Sequence, residues 1–126
     1  MTALAQPRED QSRQPGRVLA KATFNAAGEL GLSQKELARI IGVSEATVSR
    51  MKGGGYDLSG KSHELAICLV RVFRSLDAIA GSDLATMRGW VRNPNTDLNA
   101  APAELLLTAP GLITVMNYLD AARAPL

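Results

Sequence analysis

Two helix-start signals flank a single glycine in the run Ser33, Gly42 and Ser44. Ser33 is followed three residues later by Glu36, the reciprocal pair that closes a helix N-terminus: the serine oxygen accepts from a first-turn N–H, and the carboxylate accepts from the serine's own N–H. Leu37, Ala38, Ile40 and Ile41 then supply a buried stripe at helical spacing, and Gly42 stops the run. Ser44 restarts a helix as its N-cap, with Glu45 against the positive end of the new dipole. Val48 and Met51 face inward, and Gly53-Gly54-Gly55 ends the second helix. Ala38 stands where the two helices cross at nearly a right angle, a place only a small side chain allows. Gly42 takes the positive φ that the turn requires. This spacing is the outline of a helix-turn-helix.

The rest of the chain is helical as well. Val18, Leu19, Ala22, Phe24 and Ala26 fit one helix over residues 17–30, closed by Gly31. After a polar loop, Ser62 is expected to cap a long helix over residues 62–80. Its Leu65, Ala66, Leu69, Val70, Val72, Phe73, Leu76 and Ile79 cover more than one face, which places it between modules or at a dimer contact. Gly81-Ser82-Asp83 makes a turn and a new cap for Leu84, Met87, Trp90 and Val91. Asn93-Pro94-Asn95 breaks the chain. Pro102 opens a short helix, and Pro110 opens a last one carrying Leu112, Ile113, Val115, Met116 and Leu119. Nothing alternates with the period of a strand, so the fold class is all-α. The expected organisation is a flexible arm over 1–16, a helix-turn-helix module over 17–61, a linking and dimerisation helix over 62–81, and a small helical domain over 82–126.

Composition narrows the function. An apolar share of 46% in 126 residues belongs to a folded chain, one average domain or two small modules sharing a core. No run approaches the roughly 20 apolar residues of a membrane span, and the opening residues lack the apolar core of a secretory signal. One cysteine, Cys68, and one histidine, His63, leave neither an internal disulfide nor a His/Cys zinc site. No Gly-rich phosphate loop, metal cluster or Ser/His/Asp set is legible. Gly53-Gly54-Gly55 follows a helix and precedes no strand, so it reads as a terminator. The expectation is a cytoplasmic protein that is not an enzyme and uses no metal, no cofactor and no membrane. A formal net charge of +2 hides an asymmetry: residues 16–52 hold six basic against three acidic side chains, and residues 81–126 hold three against four.

The set Leu37, Ala38, Ile41, Gly42, Val48 and Met51 resembles the helix-turn-helix of the Cro/repressor-like (Xre) family, over roughly residues 17–55. The resemblance implies that the second helix lies in the major groove of DNA with its N-terminal residues at the base edges. Carried over residue by residue, the base readers are Ser44, Glu45, Ala46, Ser49 and Arg50. Arg50 suits a guanine, and Glu45 suits a cytosine amino group. Gln34, Thr47 and Lys52 are expected on phosphates, where they set register. Without the resemblance, the same side chains could cap and solvate an ordinary helical hairpin.

Trp90, Asn93-Pro94-Asn95, Leu98, Pro102, Leu105-Leu106, Thr108, Gly111, Val115 and Leu119 resemble the Xre-MbcA-ParS toxin-binding domain, over about residues 82–126. Asn99 stands where that family has Gly, and Asn tolerates the same left-handed conformation. Such domains follow an Xre-type helix-turn-helix in antitoxins paired with RES-domain toxins. The resemblance therefore implies an antitoxin that blocks the active cleft of a RES-domain, NAD-degrading toxin and represses its own operon at a DNA operator. Toxin contacts are expected at the tail: Tyr118 and Leu119 as anchors, with Asp120, Arg123 and the Leu126 carboxylate directed at cleft cations. A frayed, solvated end is the competing reading of those residues, and Trp90, Leu105, Leu106 and Val115 read as core. Leu69 and Phe73 are the expected dimer contacts, giving a homodimer within a larger toxin–antitoxin complex. The alternative function is a stand-alone dimeric helix-turn-helix transcriptional regulator with no toxin partner.

Overall fold

The structure is a computed structural model that describes residues 15–123. Most of the expected arm, and the expected toxin contact Leu126, lie outside the described residues. Seven helices and no strand are present among those described. They are α1 (Pro15–Glu29), α2 (Gln34–Ile41), α3 (Glu45–Lys52), α4 (Gly60–Ile79), α5 (Leu84–Arg92), α6 (Pro102–Leu105) and α7 (Ala109–Arg123).

Helix α1 begins at Pro15, whose fixed φ and missing N–H suit a first helical position, so residues 15 and 16 belong to the fold and not to the arm. Its inward face is Gly16, Ala20, Thr23, Ala26 and Ala27, while Val18, expected in the apolar stripe, is exposed. Small side chains on that face let neighbouring backbone come close. A Cβ on Gly16 would lie 2.4 Å from the Leu58 carbonyl oxygen. The capping pair forms as expected, with Glu36 N–H donating to Ser33 Oγ at 3.0 Å and Ser33 N–H donating to Glu36 Oε1 at 2.8 Å. Gly42 adopts φ +75°, and Thr47 N–H donates to Ser44 Oγ at 3.1 Å to start α3.

Helix α4 is the spine. It packs against α1 and α2 on one side and against α7 on the other, so one continuous core runs from Ala20 to Leu119. It starts at Gly60 behind Ser59, not at Ser62. The dimer expectation for this helix needs correction. Leu69 is 0% exposed, and Phe73 packs on the same core, because α4 has protein on two sides. What α4 turns outward is a mostly charged stripe of Lys61, Glu64, Ile67, Arg71 and Arg74. Ile79, Leu84 and Ile113, expected inside, are exposed.

Asp83 caps α5, accepting from Thr86 N–H at 3.0 Å. Asn99 adopts φ +62°, the left-handed conformation expected of it, in a loop where Asn95 and Ala100 form an isolated bridge. Thr108 Oγ1 accepts from Gly111 N–H at 3.2 Å at the start of α7. A Cβ on Gly111 would lie 2.0 Å from the Leu105 carbonyl oxygen, so α6 and α7 meet backbone to backbone there.

Two arginines of α5 join the back of the chain to the front. Arg88 donates to the Gly28 and Glu29 carbonyls, each at 3.1 Å, and Arg92 donates to the Gly31 carbonyl at 2.6 Å. Carbonyls at a helix C-terminus lack intrahelical donors and carry the negative end of the dipole, which suits a guanidinium. Arg92 also makes two 2.7 Å bonds to the Glu36 carboxylate. That guanidinium, helped by Ser33, outweighs burial and holds the Glu36 carboxyl at about 2, below its ordinary 4.5.

Candidate functional site

The first candidate site is the outer face of α3. Ser44, Glu45, Ala46, Ser49, Arg50 and Lys52 are exposed there, while Val48 and Met51 are fully buried beneath them. Gln34 is exposed at the start of α2. Thr47 departs from expectation. It is 7% exposed, and its Oγ1 accepts from Ser44 Oγ at 3.0 Å and from an Arg50 NH2 group at 3.1 Å. Tucked under the helix, it is occupied by its neighbours and is no phosphate contact. The Arg50 guanidinium also lies over the Tyr56 ring, 5.5 Å from its centroid. Beside α3 runs a groove of about 480 Å³ lined by Arg17, Lys21, Asn25, Gly53 and Gly54. Reasoning from the sequence missed this basic flank. Its signal was Arg17 and Lys21 one helical turn apart in a net-positive region.

The second candidate site is on the back of the chain. Trp90 on α5 stacks on Tyr118 of α7, with ring centroids 6.3 Å apart and planes at 19°. Tyr118 Oη donates to Asp97 Oδ2 at 2.8 Å, and that bond to a carboxylate raises the phenol above its usual range. The loop between them is ordered by Asn95 Oδ1, which accepts from Asp97 and Leu98 N–H at 2.9 and 3.1 Å. Trp90 thus becomes one wall of a shallow groove of about 370 Å³, lined also by Ala85, Thr86, Gly89 and Asn93-Pro94-Asn95. This groove too escaped the sequence reading. Ala85 and Gly89, small residues one turn apart beside Trp90, were its available sign.

The tail residues are less free than expected. Leu119 is 2% exposed and belongs to the core, so it cannot anchor a partner from the surface. Asp120 is paired with Arg71 and accepts from Ser75 Oγ at 3.1 Å, and Arg123 donates to Ser75 Oγ at 3.4 Å. These charges face α4 because α7 packs along it. Tyr118 is part-exposed, and Arg123 is exposed. Burial pushes the Cys68 thiol up, which disfavours a reactive thiolate. Among the described residues, no His, Cys, Asp and Glu side chains gather to hold a metal ion, and no helix is long and apolar enough to cross a membrane.

Comparison with known families assigns both halves. Residues 11–71 match the antitoxin Xre-like helix-turn-helix domain, and residues 75–124 match the antitoxin Xre/MbcA/ParS C-terminal toxin-binding domain. The two matches meet within α4, the helix that both halves share. No curated protein matches the chain. With its helix-turn-helix in α2 and α3 and its toxin-binding region reaching through α7, the chain belongs to the Xre/MbcA/ParS antitoxin family.

Proposed function

We propose that this antitoxin holds a RES-domain, NAD-degrading toxin inactive by covering its active cleft, and that it represses its own operon through α3. The observation that carries the reading is the pairing of the two matched regions in one short chain whose α3 outer face and α5 groove are both open. Neither activity asks the antitoxin for chemistry of its own. A cleft that receives the pyrophosphate of NAD must be partly basic, and a plug that offers hydrogen bonds and an apolar anchor fills it without reacting. Tyr118, Arg123 and Leu126, with the Trp90 groove, form the proposed contact surface; Asp120 and Leu119 support it from within. On the DNA side, two copies would present two α3 helices to half-sites about one DNA turn apart. A homodimer of this kind must use contacts other than Leu69, which is fully buried, while Phe73 is part-exposed and stays available to it. The pair acts in the cytoplasm, where both NAD and operator are found.

The test is affinity purification of the tagged protein from its host in high salt, which strips DNA-mediated association, followed by mass spectrometry and an NAD-consumption assay. The expected result is a stoichiometric RES-type partner that consumes NAD alone and is silenced by the full chain. Truncation after Ala121 is expected to release the toxin with only a small fall in melting temperature, since Ala122 and Arg123 are exposed and, among the described residues, the one side-chain bond lost is the 3.4 Å contact of Arg123 with Ser75. Recovery of the protein alone overturns the toxin reading in favour of a stand-alone regulator, and recovery with a partner that leaves NAD intact overturns the NAD-degrading identity of the toxin. A truncated chain that still silences the toxin removes the tail from the contact surface.

A further inference from the structure

Arg50 is the exposed side chain of α3 whose direction is set by its neighbours. One of a guanidinium's five N–H donors goes to Thr47 Oγ1, and the cation lies over the Tyr56 ring, its Cζ 5.5 Å from the centroid. Both supports are themselves fixed. Thr47 is buried, with its hydroxyl bonded to the Ser44 cap. Tyr56 sits in a loop stitched down at several points. Gly54 and Gly55 N–H donate to the Met51 and Arg50 carbonyls at 3.1 and 3.0 Å, Arg17 donates to the Gly54 carbonyl at 2.9 Å, and Leu58 N–H donates to the Gly16 carbonyl at 3.2 Å. Gly16 permits this approach because it has no Cβ, and Leu58 is buried in the core. A chain of contacts therefore runs from the start of α1, through the loop after α3, to the tip of Arg50.

A long side chain that is free in solution must give up rotamer freedom to make a bidentate bond, and one already held loses less. In the major groove, the edge that accepts two parallel donors from one guanidinium is that of guanine, through O6 and N7. Resting on the reading of α3 as the DNA-reading helix, we infer that Thr47 and Tyr56 are positioning residues which pre-set Arg50 as the determinant of specificity for a guanine in the operator. Neither needs to touch DNA. Thr47 orients by a hydrogen bond and Tyr56 by a ring face, so the phenol hydroxyl of Tyr56 is dispensable and its ring is not.

The probe is a randomised DNA duplex library, selected with the full chain and sequenced. The variants are Arg50→Ala, Tyr56→Leu, Tyr56→Phe and Thr47→Val, each checked by thermal unfolding. The unaltered chain is expected to converge on a half-site, with Arg50→Ala losing the preference for one guanine, roughly 5- to 150-fold. Tyr56→Leu and Thr47→Val weaken that same preference by roughly two- to fivefold, Tyr56→Phe keeps it, and the salt dependence of binding stays unchanged in all three. A merely structural role would instead lower specific and non-specific binding together. Should Tyr56→Leu fail to fold, Thr47→Val, which keeps the branched shape and removes the hydroxyl that serves Arg50 and Ser44, carries the test, with thermal unfolding reporting the loss of the Ser44 bond. The inference is overturned if folded Tyr56→Leu and Thr47→Val retain the full guanine preference while Arg50→Ala loses it, an outcome that leaves the DNA reading standing. It is equally overturned if Tyr56→Phe loses as much as Tyr56→Leu, or if Arg50→Ala changes no position. An unaltered chain that selects no sequence brings down the DNA reading and this inference together.

Discussion

The outer face of α3 and the outer end of α7 are both short helical surfaces of polar and charged residues, but the fold uses them differently. On α3, Glu45, Ala46, Ser49 and Lys52 are exposed and carry no part of the core. On α7, Asp120 is tied to Arg71 and Ser75, Arg123 reaches Ser75, and Tyr118 is stacked on Trp90 and bonded to Asp97. The helix-turn-helix is held from within by Leu37, Ile41, Val48 and Met51 and at its turn by Gly42, so Glu45, Ala46, Ser49 and Lys52 are not called on to hold the fold. Helix α7 lies along a helix with an arginine on its rim, and its polar groups help fix that packing. The lesson is that a polar side chain near the end of a chain is available to a partner only after its own fold's demands are met.

Four tests, the last of them a pair of substitutions, break or sharpen this contrast. The largest effect is expected for Leu69→Asp, which puts an unpaired charge in the spine both halves share, at a cost on the order of 5 kcal/mol. It should abolish folding of both halves at once in a denaturant titration, and a soluble folded monomer in light scattering would restore the dimer-contact reading. Next comes Gly111→Ala, whose Cβ meets the Leu105 carbonyl at 2.0 Å. About 3 kcal/mol is expected, with toxin binding lost well before DNA binding as urea is raised.

The third concerns pH. The Glu36 carboxyl titrates at about 2 when folded against an ordinary 4.5, so the unfolded chain binds the proton first as pH falls. The Glu36–Arg92 pair therefore contributes fully above about 4.5, and its contribution disappears as pH drops toward 2. Arg92 is half exposed, and screening reduces the contribution to about 1 kcal/mol. Melting temperatures of the unaltered chain and of Glu36→Gln should differ at pH 7 and converge near pH 2; a constant gap would show that the pair contributes nothing. The smallest effects test the comparison directly. Asp120→Ala is expected to cost about 1 kcal/mol, and Ser49→Ala less than about 0.5 kcal/mol, by chemical denaturation. Equal losses would erase the distinction between the two surfaces.

Local signals in the sequence carried the front of the molecule well. Ser33 with Glu36, Gly42 and Ser44 act through bonds within a few residues, so their geometry could be foreseen, as could the left-handed Asn99. Helix faces were harder to foresee. Val18 and Ile113 point outward although their helices were recognised, because which side of a helix is buried depends on what lies across from it. Leu69 and Phe73 share the same difficulty: an apolar surplus on α4 announces two neighbours without saying whether the second is another copy or α7.

The all-α class, the two helix starts with their turn, and the order of the two modules follow from the sequence alone, since caps, glycine φ and helical periodicity are short-range physics. Tertiary structure alone decided that Thr47 and Tyr56 support Arg50, that Arg92 grips Glu36, and that Asp120 faces Arg71. The last two pairs join residues 56 and 49 positions apart in the chain. No local preference encodes such a meeting; it exists only once α4, packed on both sides, has brought the two halves together.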